Sequence, residues 1–287
     1  MADRIVITGA GGMVGRFLAG QAASQGRDVR AFTSAEWDIT GPGDDFVSPG
    51  DVVVNCAAFT QVDKAETGPE RAHAVNVTGA GNVAQACARA GASLIHLSTD
   101  YVFSGRFPGA PHPYDIDDET GPLSVYGRTK LLGEQAVLAA LPSAYVVRTA
   151  WIYEGGDGKD FAAVMRRAAA GTDTVDVVAD QIGSPTYVGD LCRALLQIAD
   201  GGVRGPVLHA ANDGAVSRFE QARAVFSLLG ADSSRVRPVT SDRHPRPAPR
   251  PSYSALSAAG SARAGLTPLR GWREALADAL GRLPSTP

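Results

Sequence analysis

Arg4-Ile5-Val6-Ile7-Thr8-Gly9-Ala10-Gly11-Gly12-Met13-Val14-Gly15 decides the fold. Its first five residues read as a short apolar strand. A helical pattern runs from Val14 to about Gln25, so the glycines fall in a strand-to-helix turn. Glycines at positions 9, 12 and 15 permit a tight turn and let backbone N–H groups approach a pyrophosphate. They also bring the positive end of the helix dipole onto it. Gly9, Gly11, Gly12, Met13 and Val14 are therefore candidate cofactor-binding residues. The spacing departs from the commoner dinucleotide fingerprint, whose third glycine position is Val14 here.

Outward from this turn, strands alternate with helices. Asp28–Phe32, Asp51–Asn55, Ser93–Ser98 and Ala144–Arg148 read as strands, and Thr78–Arg89 and Tyr126–Leu141 as helices. The uninterrupted apolar run Val52-Val53-Val54 suits a strand covered on both faces. The pattern predicts an α/β, doubly wound, parallel Rossmann-type sheet with a smaller C-terminal substrate domain. A helix over Asp190–Ala199 and a strand over Pro206–Ala211 are expected to rejoin the sheet beside Arg148. That divides the chain into a cofactor domain, 1–153 plus 189–212, and a substrate domain, 154–188 plus 213–287. Arg235–Pro251 holds five arginines and one acid among its prolines. It reads either as an extended solvated loop or as a cationic flap over an anionic ligand, because proline at this density forbids helix and central strand. Gly271–Leu283 reads as a short amphipathic helix.

The chain has 287 residues, 44% hydrophobic, with a net charge of −3, which fits one large or two modest domains. The slight acidity argues against a nucleic-acid partner. No apolar run approaches the roughly 18 residues of a membrane span, and Met1–Arg4 lacks a signal-peptide layout, so a cytoplasmic protein is expected. Cys56, Cys87 and Cys192 have no metal-ligand spacing and read as reduced core thiols.

Tyr126 and Lys130 lie one turn apart on a single helix face, and Thr99 ends a strand at the edge where open α/β sheets bind ligands. Reduction of a ketone needs a hydride on carbon and a proton on the developing alkoxide. An ammonium about 4 Å from a phenol, at an effective dielectric near 20, would lower its pKa by about 3 units, and Thr99 can bond the same oxygen. Phe32-Thr33-Ser34 has no acid where NAD enzymes of this architecture often bind a ribose 2′-OH. NADPH is the expected cofactor, with NADH left open.

These motifs, with Asp38-Ile39-Thr40, Asn55–Asp63, Val75-Asn76, Ser98–Phe103, Arg148–Tyr153, Asp180–Thr186 and Arg250-Pro251, resemble the dTDP-4-dehydrorhamnose reductase family of extended short-chain dehydrogenases/reductases, above all its mycobacterial type. The resemblance implies NAD(P)H-dependent reduction of the 4-keto group of dTDP-4-dehydro-β-L-rhamnose. Thr99, Tyr126 and Lys130 would be the catalytic triad, with Tyr126 and Lys130 also against the cofactor. Asp38, Ile39, Ala57, Ala58 and Thr60 would flank the adenosine and ribose. Asp100, Tyr101 and Trp151 would line the sugar pocket, and Arg250 would face the substrate's diphosphate. Phe59 and Ser104 depart from the family's usual residues. Two other readings stay open: a reductase of another nucleotide-linked keto sugar, or a regulator like the subunit of methionine adenosyltransferase. One branch of the family dimerises around a divalent ion held by glutamates. The matching positions here are Phe17, Gly189 and Arg273, so no metal is expected, and a monomer or weak metal-independent dimer is.

Overall fold

The computed structural model describes residues 4–281. The expectations for 1–3 and for the end of the last helix, Arg282 and Leu283, lie outside the described residues. Six parallel strands form the central sheet: β1 (Arg4–Thr8), β2 (Val29–Phe32), β3 (Asp51–Asn55), β4 (Ser93–Thr99), β5 (Tyr145–Thr149) and β6 (Val207–His209). Their order is β6-β5-β4-β3-β1-β2. The winding therefore reverses between β1 and β3, which opens a crevice at the carboxyl ends of those strands.

Seven longer helices accompany the sheet among the described residues: α1 (Met13–Ser24), α2 (Ala80–Ala90), α3 (Val125–Ala140), α4 (Phe161–Ala170), α5 (Val188–Ala199), α6 (Arg218–Leu228) and α7 (Trp272–Gly281). Alternate strand residues feed two cores. Ile5, Ile7, Val52 and Val54 pack with Leu18 of α1 and Leu191 and Leu195 of α5. Val6, Val53 and Leu94 pack on the other face with Val83 and Cys87 of α2 and Val137 of α3. Each such aliphatic side chain contributes about 1.5–3 kcal/mol when fully buried. A buried Glu134–Arg148 pair, at 3.0 and 2.8 Å, fastens α3 to β5, and Ser98 donates to the same carboxylate.

Two segments differ from the sequence reading. The helix expected from Thr78 begins earlier, at Pro69, and passes through a π-helical turn at Ala74–Gly79 before α2. Asn76 breaks the apolar period because it faces inward: it accepts from the Phe59 N–H at 2.8 Å and donates to Thr129 Oγ1 at 3.0 Å. Within Arg235–Pro251, Val236–Val239 forms a strand parallel to Val175–Val178. Pro238 is tolerated there because a two-stranded ribbon has an open edge that needs no N–H.

Candidate active site

The glycine turn closes on the end of β3. Gly9 has φ +68°, and a Cβ there would sit 2.7 Å from the Ala57 nitrogen. The Ala57 N–H and the Thr8 hydroxyl both donate to Asn55 Oδ1, at 3.1 and 2.7 Å, tying the ends of β1 and β3 together. Gly11 and Gly12 form an exposed rim. Gly12 gives α1 no side-chain cap, and the first turn holds no acid, so the helix N-terminus stays open to an anion. That combination fits the diphosphate of a dinucleotide. Met13, Val14, Ala57 and Ala58 lie half-buried around the turn.

At the other end of the crevice, exposed Asp38 accepts from the Thr40 N–H and hydroxyl, at 3.0 and 2.8 Å, which holds its carboxyl below the usual range. Ile39 is buried beside it, and Thr60 is exposed. Glu36 folds back to accept from the Thr33 N–H and hydroxyl, each at 2.8 Å, so a carboxylate does stand beyond β2, two residues after Ser34.

Thr99, at the end of β4, lies beside the start of α3. Its hydroxyl donates to Asp100 Oδ1 at 3.1 Å and accepts from the Tyr101 N–H at 3.2 Å. It also lies against the Tyr126 phenol, where a hydroxyl proton turned toward the phenol oxygen lowers the phenol's pKa. Ser124 caps α3 by accepting from the Gly127 N–H at 3.1 Å. A Cβ on Gly127 would strike the Tyr101 carbonyl oxygen, so glycine is what lets this helix end reach the β4 terminus. The Tyr126 ring meets Tyr101 edge-on, with centroids 5.6 Å apart.

Lys130 is 2% exposed; its ammonium nitrogen donates to the Leu97 carbonyl at 2.6 Å and lies 3.3 Å from His96 Nε2. This changes the electrostatics expected from the sequence. Burial pushes the Tyr126 phenol up, with the Thr99 bond as the opposing influence, while burial brings Lys130 down to about 8. The phenol therefore holds its proton at neutral pH. Asp100, 2% exposed, is pushed up to about 6 by burial, against bonds from Ser254 at 2.6 Å and Thr99.

Trp151 has φ +45°, among the described residues the one non-glycine position in that region. The Arg218 guanidinium lies 3.6 Å from its ring centroid. Arg218 leads into a cleft of about 400 Å³ with Phe161, Gln181, His244, Arg246 and Arg250. Arg250 reaches this cleft, yet both of its terminal nitrogens are 3.0 Å from Asp63. Arg218 escaped the sequence reading. A usable signal existed, since Ser217-Arg218-Phe219-Glu220 is a capping box with a cation in the first turn of α6, against the helix dipole.

Phe17 rests edge-on against Tyr187 at 6.1 Å, and Arg273 stacks over Trp272 at 4.5 Å. Among the described residues there is no group of three or more His, Cys, Asp or Glu able to hold a metal, and no helix long and apolar enough to cross a membrane. Cys56, Cys87 and Cys192 are free thiols, the last two buried.

The RmlD substrate binding domain family matches residues 3–284. A dTDP-4-dehydrorhamnose reductase of Mycolicibacterium smegmatis is 66% identical, over 100% of this chain and 90% of its own length. One from Mycobacterium tuberculosis is 63% identical, over 99% and 98%. The crystal structure of a Bacillus anthracis dTDP-4-dehydrorhamnose reductase in complex with NADP superposes with a TM-score of 0.90 at 33% identity, covering 99% of this chain and 100% of that one. The matches span nearly the whole chain, and the chain belongs to the dTDP-4-dehydrorhamnose reductase family of extended short-chain dehydrogenases/reductases.

Proposed function

We propose that this protein reduces the 4-keto group of dTDP-4-dehydro-β-L-rhamnose to give dTDP-β-L-rhamnose, in the cytoplasm, with NADPH preferred over NADH. One observation carries the reading: the Tyr126–Thr99–Asp100 run ends β4 between an uncapped glycine turn and an arginine-lined cleft. The substrate is supported by the names of the mycobacterial relatives, and the cofactor by the NADP complex of the Bacillus anthracis protein.

A reduced nicotinamide nucleotide supplies the hydride when bound. Gly9, Gly11, Gly12, Met13 and Val14 would hold its diphosphate, and Asp38, Ile39, Ala57, Ala58 and Thr60 its adenosine half. Tyr126 and Lys130 would stand at its nicotinamide ribose. Asp100, Tyr101 and Trp151 line the sugar pocket, while Arg250, with Arg218 and Arg246, neutralises the diphosphate of the substrate. The division of labour follows: 1–153 plus 189–212 serves the cofactor, and 154–188 plus 213–287 the sugar nucleotide.

Tyr126 acts as the proton donor. Its raised pKa keeps the phenol protonated until the substrate's oxygen becomes an alkoxide, which is the stronger base. When that oxygen lies against the phenol, the Tyr126 proton passes to it. Thr99 steadies the same oxygen by turning its hydroxyl proton away from Asp100. The test is NADPH oxidation with dTDP-4-dehydrorhamnose and with other dTDP-linked keto sugars. Turnover fastest with the rhamnose precursor is expected, and no turnover of any nucleotide-linked keto sugar overturns the reading.

A further inference from the structure

Against Lys130 stands a buried histidine that the chemistry above does not use. His96 lies on β4 and is 1% exposed. Its Nε2 is 3.3 Å from Lys130 Nζ, and its Nδ1 is 3.0 Å from Asn55 Nδ2. The Asn55 amide has a fixed orientation, because its Oδ1 receives the Ala57 backbone N–H at 3.1 Å and the Thr8 hydroxyl at 2.7 Å. Its NH₂ group must then face the imidazole, and that group only donates. Nδ1 of His96 is thus the acceptor, and the one proton of the neutral ring sits on Nε2, aimed at Lys130. An ammonium has no lone pair to receive it. An uncharged amine has one, and still donates to the Leu97 carbonyl at 2.6 Å.

We infer that His96, held by Asn55 as the Nε2–H tautomer, is a positioning residue that favours the uncharged amine of Lys130, so that Lys130 gains its charge only by giving up the His96 contact. Burial acts in the same direction, bringing Lys130 to about 8 and His96 well below 6.5. The other groups facing Lys130 do not undo this. Glu134, on the same helix, draws the proton toward Lys130 but is engaged by Arg148 and Ser98. The Cys56 thiol is pushed up to about 12 by burial and stays uncharged, and the Tyr126 phenol keeps its proton. A new acceptor in the crevice would therefore favour the charged form of Lys130 further. Under the proposed function, on which this last step rests, a ribose hydroxyl of the nucleotide is that acceptor, so nucleotide binding and Lys130 protonation promote one another.

NMR of the nucleotide-free protein, labelled in histidine and lysine, tests the device without any turnover. His96 is expected to show a protonated Nε2 and a bare Nδ1 from pH 6 to 8, with Lys130 titrating near 8. His96→Gln presents a carbonyl acceptor to Nζ and should raise the Lys130 pKa by about one unit. Asn55→Asp keeps the ring but draws its proton to Nδ1, so it should move both the tautomer and the Lys130 titration; it carries the test alone if His96→Gln does not fold. An Nδ1–H tautomer in the parent protein overturns the inference. So does a Lys130 titration unchanged in both variants. Adding NADPH should raise the Lys130 pKa in the parent protein. If it does not, while the tautomer and variant shifts hold, the nucleotide half of the inference is wrong and the His96 device stands. Failure of keto-sugar reduction would overturn the proposed function and leave these spectra unchanged.

Discussion

Tyr126 and Asp100 show how burial at one residue sets the proton inventory of the site. With Tyr126 as the proposed donor, Tyr126→Phe should lower kcat by about 10²-fold or more while leaving NADPH affinity nearly intact, read by steady-state kinetics and equilibrium binding. Lys130→Ala should weaken both. Asp100 has a folded pKa of about 6 against an ordinary 3.8, so the folded state binds its proton more tightly than the unfolded one. Its contribution to stability is full below pH 3.8 and is lost as pH rises through 6. Urea unfolding should show that Asp100→Asn removes this component: the parent loses up to about 3 kcal/mol relative to the variant between pH 3.8 and 7. An unchanged difference between the two proteins across that range would contradict the assignment. The approach of Tyr126 to Thr99 was legible in the sequence because a strand end meets the first turn of a helix there, whereas Lys130 turns to His96 and the Leu97 carbonyl. His96 and Arg218 were not legible, because their partners Lys130 and Trp151 meet them only through the sheet and the second layer.

At the scale of elements, the start of α3 must approach the Tyr101 segment closely for Tyr126 to reach Thr99. Gly127→Ala presses a methyl group onto the Tyr101 carbonyl and should destabilise the protein by about 1–3 kcal/mol, with a further loss of kcat as the phenol is moved off its partner. Thermal unfolding and kinetics measure the two parts, and a variant with parental stability and turnover would contradict this packing. The alternation of strand and helix was legible because each strand of the sheet is a local apolar run of four to seven residues, β6 excepted at three. The pairing of Val236–Val239 with Val175–Val178 was not, since residues about 60 apart meet there and the prolines mask the strand pattern. The early start of the helix at Pro69 was hidden in the same way, by an inward asparagine whose value lies in its bonds to Phe59 and Thr129.

For the whole molecule, the question is whether a second copy is required. The three positions where one branch of the family places glutamates around a divalent ion hold Phe17, Gly189 and Arg273. Phe17 and Gly189 line one shallow cavity of about 590 Å³ with Arg16, Glu154 and Arg193, where Arg16 is already paired with Glu154 at 2.8 Å. A Cβ on Gly189 would strike the Tyr187 ring that also supports Phe17, so a longer, ligating side chain at that position would have to displace packed aromatic structure. Arg273 adds positive charge and stacks on Trp272. Hard divalent ions take oxygen ligands, and neither a phenyl ring nor a guanidinium offers one. The two cores that clasp the sheet are built within one chain, and a chain of 287 residues buries enough surface to fold alone. Sedimentation should therefore give a monomer or a weak dimer with the same distribution in Mg²⁺ and in chelator. A tight dimer that dissociates on chelation would mean that backbone oxygens or Glu154 replace the missing carboxylates. In that event Glu154→Gln should abolish the dimer, whereas in a metal-independent protein it should change only the surface pair with Arg16.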